Sequence, residues 1–356
     1  MIRIKIQQFI LVVIVVTFVS LYKASYVEAR PNNFIDDKKN SPYTSGGTNA
    51  SYNYLLTRSS IVSQPDVYLD INPGKYLKPN GDFVFEVPKA ADQIYRFGKI
   101  MGTTKDDNVI FDGKLIVGIL DLLDGKNTLN FKEYSEITLD PNMTPSSSLN
   151  FYNIATFNIA EGVKMEKLNA IYGSYDMTFN FNSTDSSNQD KDINITQISL
   201  IGGDNIKGFI NINNAKVNIT GNANLSTKDE VITLKDAKFN SDGSVDKKTI
   251  SILSLSKGLS IAGGNNTITM GKFSKIIAAG QSLQMYGNNT LNLDAGSMVQ
   301  GSLLFKDGNN SINVISIGKE NYKNDLYKIT IDSIVLGSGQ NNINIKEYSN
   351  FNDNSS

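Results

Sequence analysis

The stretch GNNTLNLDAGSMVQG occupies Gly287 to Gly301, and its first seven letters keep returning along the chain. Gly264 opens GNNTITM, Gly308 opens GNNSINV, Gly339 opens GQNNINI and Gly125 opens GKNTLNF. Successive strand side chains point to opposite faces. In each copy the fifth and seventh positions therefore share a face: Ile268/Met270, Leu291/Leu293, Ile312/Val314, Ile343/Ile345 and Leu129/Phe131. The position between them, on the other face, is Thr269, Asn292, Asn313, Asn344 and Asn130. One face is apolar and the other wet.

A second alternating pair lies just before each glycine: Leu259/Ile261, Leu283/Met285, Leu303/Phe305, Ile334/Leu336 and Leu120/Leu122. Each unit is thus a strand, a corner made by Gly and Asn, and a second strand. Gly and Asn tolerate the positive φ that a sharp corner requires. The repeat glycines follow one another after 23, 21 and 31 residues (264, 287, 308, 339), the rhythm of stacked coils with an occasional insertion. Gly125 lies 139 residues before Gly264, which at that rhythm reads as six coils. The fold class expected is all-β, a parallel β-helix in which equivalent residues align in columns and corner asparagines bond from coil to coil. A β-sandwich with Asn-Gly hairpins is the alternative, and it would need no such periodicity.

The flanking regions read differently. Arg3 and Lys5 precede an apolar run, Phe9 to Leu21, and a small-x-small site at Val27 and Ala29, which reads as a signal peptide over 1–29. Residues 30–64 read as a polar, flexible leader, and 65–356 as the β-helix, with 65–105 as an N-terminal cap. Ala90 to Lys99 is the best helical candidate. Ser146 to Asn153 and Phe179 to Asp192 contain loop-like polar clusters, the second read as a protruding loop.

Composition excludes more chemistry than it suggests. Removing 1–29 leaves 31 basic against 34 acidic residues, a net charge of −3 that gives no steering toward nucleic acid. There is no histidine and no cysteine, which removes Ser-His-Asp and Cys-His nucleophiles and the usual zinc ligands. Arginine occurs only at 3, 30, 58 and 96. The adjacent acids Asp36-Asp37, Asp106-Asp107 and Asp229-Glu230 read as solvated turns, because acid/base work needs environments that separate the two pKa values. GGDN at Gly202 and GGNN at Gly263 lack the calcium-binding GGxGxD pattern. The sequons at Asn265, Asn288 and Asn309 fall inside the repeat and read as corner chemistry. Tyr172, Tyr175 and Phe179 read as packing residues rather than groove lining. The expectation is a non-enzymatic protein with no cofactor and no metal.

With its export signal, polar leader and coils of the type GGNNTITMGK and GNNTLNLDAGSMVQGSLLFKDGNNSINV, the chain resembles the passenger domain of a Gram-negative autotransporter. In its Asn, Ile and Lys richness it is similar to the surface cell antigens of rickettsia-like intracellular bacteria. The resemblance is best over 259–346, weaker over 106–138 and poor before 65. It implies a right-handed parallel β-helix at the cell surface or secreted, an adhesin contacting a host-cell surface protein or glycan. Autotransporters carry a membrane barrel of short alternating strands. This sequence stops at FNDNSS, so the expectation is a split or truncated passenger whose outer-membrane barrel is encoded separately. An open coil end would also favour self-association. A carbohydrate-binding or carbohydrate-cleaving β-helix is the alternative function.

Overall fold

The repeat units lie on top of one another and run in the same direction. In a computed structural model, strands are described at Tyr52–Leu55, Leu69–Asp70, Phe83–Val87 and Ile94–Met101, followed by residues 106–345 apart from 112, 123–124, 140–148, 172–174, 203–204, 263 and 316–327. Residues 1–29 lie outside the described residues, and so does the signal peptide read there. The strands form one sheet of twelve and a second of fourteen, and each coil contributes to both. The pairings that join coil to coil are parallel from Tyr52–Leu55 on Phe83–Val87 through to Asn310–Val314 on Asn341–Ile345. This is a parallel β-helix, and the sandwich alternative, built on antiparallel hairpins, is overturned.

The register sets the columns. Val109, Leu129, Phe157, Phe179, Ile210, Ile232, Ile268, Leu291 and Ile312 follow one another up the first sheet and are all buried. A second column inside the same sheet runs Phe111, Phe131, Ile159, Phe181, Ile212, Leu234, Met270 and Leu293. The pairs read ahead of the glycines form the facing wall. Leu259, Leu283, Leu303 and Ile334 share one column of the second sheet, with Ile261, Met285, Phe305 and Leu336 beside it. One continuous core results, in which each large side chain contributes about 1.5–3 kcal/mol by burial.

Glycine is required at the corners. Gly264, Gly287, Gly308 and Gly339 have φ of 51°, 77°, 74° and 109°. A Cβ on Gly308 would collide with the Gly287 carbonyl, and one on Gly339 with that of Gly308. On the opposite corner, the left-handed position before a buried serine is taken by Tyr134, Phe273 and Gly296 in turn, followed by Ser135, Ser274 and Ser297. Ser274 Oγ donates to the Gly271 carbonyl at 2.8 Å and Ser135 Oγ to that of Lys132 at 2.8 Å, closing the first two of these bends.

Four local expectations are corrected. Leu129 to Ile268 spans five coils rather than six, through Phe157, Phe179, Ile210 and Ile232, because three of those coils carry insertions. Ile94–Met101 is a strand paired with Lys114–Asp121, although AADQIYRFGK reads as a helix start. Its parallel neighbour decides the matter, since two helical turns alone carry too few hydrogen bonds to persist. Leu149–Tyr152, inside a stretch read as loop, is a strand on Leu168–Ile171. Phe179 to Asn182 completes the strand Met177–Asn182, so the excursion begins only at Ser183. The ladders also reach back to Tyr52–Leu55, within the stretch read as leader, and through the stretch read as a cap.

Candidate functional site

The outer face of the first sheet carries the repeat's polar letters in two columns. Thr128, Thr156 and Thr178 stand in register, as do Thr267, Thr290, Ser311 and Asn342. Phe209 and Val231 occupy the two coils between them and interrupt the hydroxyl row. Beside it runs the second column, where each amide donates to the coil before. Asn130 donates to Asn108 at 2.6 Å, Asn158 to Asn130 at 2.9 Å, Asn180 to Asn158 at 2.9 Å and Asn211 to Asn180 at 3.0 Å. The row resumes with Asn292 on Thr269 at 3.2 Å, Asn313 on Asn292 at 2.9 Å and Asn344 on Asn313 at 2.8 Å. A primary amide has two N–H donors and an oxygen with two lone pairs, so each rung retains hydrogen-bonding capacity toward a partner. Glu86 is in register with Ile110 and so with the second column, but from Asn108 onward no charged side chain stands in either column among the described residues. Strand alternation makes this surface legible in sequence; the interruption at 209 and 231 follows from register alone.

A second amide ladder is hidden at the corner. Asn266, Asn289 and Asn310 are buried, and each donates to the next: 3.0 Å to Asn289, 2.8 Å to Asn310 and 2.8 Å to Asn341. The sequon asparagines Asn265, Asn288 and Asn309 lie one residue earlier, exposed at the same corner.

The second sheet bears a shallow hollow of about 350 Å³ across four coils, lined by Glu136, Thr138, Lys164, Glu166, Asn194 and Thr196 among others. Glu136 lies between Lys114 at 3.3 Å and Lys164 at 3.4 Å, which partly neutralises its acidic rim.

Two excursions meet on one side of the solenoid. Ser186 donates through its N–H to the Lys248 carbonyl at 2.6 Å, joining the excursion after Asn182 to the one after Leu234. Glu161 anchors the first. Its carboxylate accepts from Ser183 Oγ at 2.9 Å and from Thr184 N–H and Oγ at 2.7 Å each, and it pairs with Lys191 at 2.9 Å. Burial pushes the Glu161 pKa up, but the bonds from Thr184, Lys191 and Ser183 outweigh it and bring it down to about 2. The stabilisation from this anchor is therefore present above the ordinary glutamate pKa and lost as pH falls toward 2.

The acid pairs divide. Asp106 is exposed and accepts from the Lys126 N–H at 2.7 Å, whereas Asp36-Asp37 lies outside the described residues. Asp229-Glu230 is not a solvated turn: it opens a strand at a closed corner, with Asp229 8% and Glu230 0% exposed. Asp229 is held below its usual range by the Asn265 N–H at 2.9 Å and by Lys207 at 3.5 Å, while burial pushes Glu230 up to about 7. The separation of the two pKa values is the one an acid/base pair shows, yet Glu230 has no route to solvent for a substrate. Sequence gave no sign of this burial, because DE between lysine and valine looks like any polar corner. Tyr175 is exposed beneath Lys126, 5.5 Å from its ring, whereas Phe179 is a core residue; Tyr172 lies outside the described residues. Among the described residues, no group of His, Cys, Asp or Glu side chains is placed to hold a metal ion.

No protein-family model, curated protein or solved structure matches the chain.

Proposed function

We propose that the chain is an exported, non-enzymatic adhesin-like β-solenoid, displayed at the outer membrane or secreted, that contacts a host-cell surface protein or glycan through the polar face of its first sheet. The observation that supports this reading is the pair of uncharged Thr and Asn columns, repeated over coil after coil. An extended, rigid, neutral hydrogen-bonding surface suits adhesion through many weak contacts better than turnover of a small substrate. The likeness to autotransporter passengers adds the export route. Exposed Ile343 and Ile345 on the last described coil, 59% and 63% accessible, are the part of the molecule that suits self-association.

The chain from residue 30 onward should bind host cells or matrix protein saturably. Replacing Thr267 and Thr290 with lysine should cut that binding at least ~10-fold without altering the circular dichroism spectrum. Binding that is absent in the unaltered chain, or unaffected by the double change, rules the reading out.

The hollow along Glu136, Lys164 and Glu166 favours a second reading, a carbohydrate-binding β-helix. Retention on a glycan panel that is lost with Glu166→Ala, but kept in the Thr267/Thr290 variant, selects it.

A further inference from the structure

Thr227, Lys228, Asp229 and Glu230 form the corner between the strands Ala223–Ser226 and Asp229–Leu234. Glu230 faces inward at the place where the buried amide ladder begins. Gly208 is its register partner in the coil before, and Asn266 of the coil after accepts the Glu230 N–H at 3.3 Å. Gly208 is what makes room, since a Cβ there would collide with Glu230 Oε2. That oxygen is buried without a hydrogen-bond partner. The other, Oε1, accepts from the Thr227 N–H at 3.0 Å and lies 2.8 Å from Thr227 Oγ.

The threonine hydroxyl has a single hydrogen and two oxygens to satisfy, for the Asp229 carbonyl is also 3.0 Å away. When that hydrogen goes to the carbonyl, the short contact with Glu230 is a bond only if the carboxyl supplies the proton. A neutral carboxylic acid therefore fits the corner, whereas a carboxylate would bury a full charge there; Oε2 is bare in either state. The charged neighbours do not help it. Asp229 is negative and adjacent in the chain, and Lys207, on the preceding coil, is spent on Asp229 at 3.5 Å. Lys228 is at the same corner, Asp176 accepts the Lys207 backbone N–H at 2.8 Å, and among the described residues the following coil presents the amides of Asn265 and Asn266.

We infer that this corner is a proton-operated latch, closed while Glu230 is neutral and opening locally when that carboxyl ionises and must be hydrated. The latch lies in the coil where Val231 interrupts the outer hydroxyl row, so its opening loosens the solenoid between the two halves of the polar face. It stands without the adhesive reading of that face.

The sign follows from the shift. Burial, opposed by the bonds from Thr227 and reinforced by the charge on Asp229, lifts Glu230 from 4.5 to about 7. The folded corner then holds a proton that the opened one releases, so its stability is full below about 4.5, falls as pH rises and is lost through about 7. The opening equilibrium changes up to ~10-fold per pH unit in that window.

In the full chain, hydrogen exchange corrected for intrinsic rates should show the Thr227, Glu230 and Val231 amides opening roughly 50-fold more readily at pH 8 than at pH 5. Glu230→Gln, which carries no titrating proton, should remove that dependence. The unaltered protein offers a check that survives a misfolded variant: the Glu230 carboxyl carbon should titrate near neutrality by NMR. Titration in the ordinary glutamate range, a pH-independent opening, or an equal pH dependence in a folded Gln variant each overturns the latch.

Discussion

Between Val109 and Phe181 the interior of the solenoid is rich in stacked phenylalanines, and between Asn266 and Ile312 it is mainly aliphatic with a polar seam, Phe273 and Phe305 aside. In the first region Phe111 and Phe131 lie 5.5 Å apart, Phe131 and Phe151 6.3 Å, and Phe151 and Phe157 5.8 Å, the last two pairs edge to face. Phe157 then stacks on Phe179 at 4.2 Å with planes 9° apart. In the second region Ile268, Met270, Leu291, Leu293 and Ile312 fill the same columns, and Asn266, Asn289 and Asn310 run beside them, buried. The coil and the direction of pairing do not change. What differs is how one coil recognises the next. Stacked rings gain dispersion and have no polar obligation, so they tolerate small offsets between coils. The buried amide ladder is satisfied in one register only, because a slip would part Asn266, Asn289 and Asn310 from one another and leave buried amides without partners. Glu230 stands where one regime gives way to the other, at the head of the ladder and one coil above Gly208.

Substitutions in the two regions should separate these regimes, since coils interact mainly with their neighbours and each change should be felt nearby first. Leu291→Asp puts an unpaired charge at a position with no exposed surface and should cost about 5 kcal/mol. Denaturant unfolding gives the size, and hydrogen exchange should show the coils around 265–314 losing protection before those around 127–182. Phe157→Ala removes the centre of the ring stack and should cost about 3–4 kcal/mol, with the opposite order of protection loss. If both changes melt both regions together, the coils are one cooperative unit and the contrast has no energetic content.

Asn289→Ala should cost about 2 kcal/mol, as it strips the donor from Asn310 Oδ1 and the acceptor from Asn266. A loss below ~0.5 kcal/mol in the same unfolding experiment would mean that the buried ladder accompanies register without enforcing it. The smallest effect belongs to the outer row. Asn292→Asp keeps an acceptor for Asn313, and the Thr269 hydroxyl can turn to donate, so about 0.5 kcal/mol is expected. A large loss at Asn292 would show that the outer ladder, rather than the buried one, holds the coils in register.

The glycine-asparagine repeat of residues 259–345 was readable because each copy carries its whole instruction locally: a left-handed corner, an alternating strand, then a second strand. Earlier coils obey the same geometry with altered letters. FINI and EVITL occupy the repeat's place over 209–212 and 230–234 without a preceding GNN, and only their pairing reveals the equivalence. The strand at Ile94–Met101 was hidden for a similar reason, its partners Leu69–Asp70 and Lys114–Asp121 being what separates it from a short helix.

Alternation and glycine placement by themselves determined the parallel coil, the inward columns of Leu291 and its equivalents, and the outward Thr and Asn rows, because side-chain direction in a strand depends only on parity. Burial at the corners was decided by tertiary structure. Asp106 and Asp229 look alike as letters, yet one is solvated and the other is covered by the next coil and by Lys207. The charge state of Glu230 depends on what the coils before and after lay against it, and that is set by insertions of varying length between them. No local window of sequence contains that information.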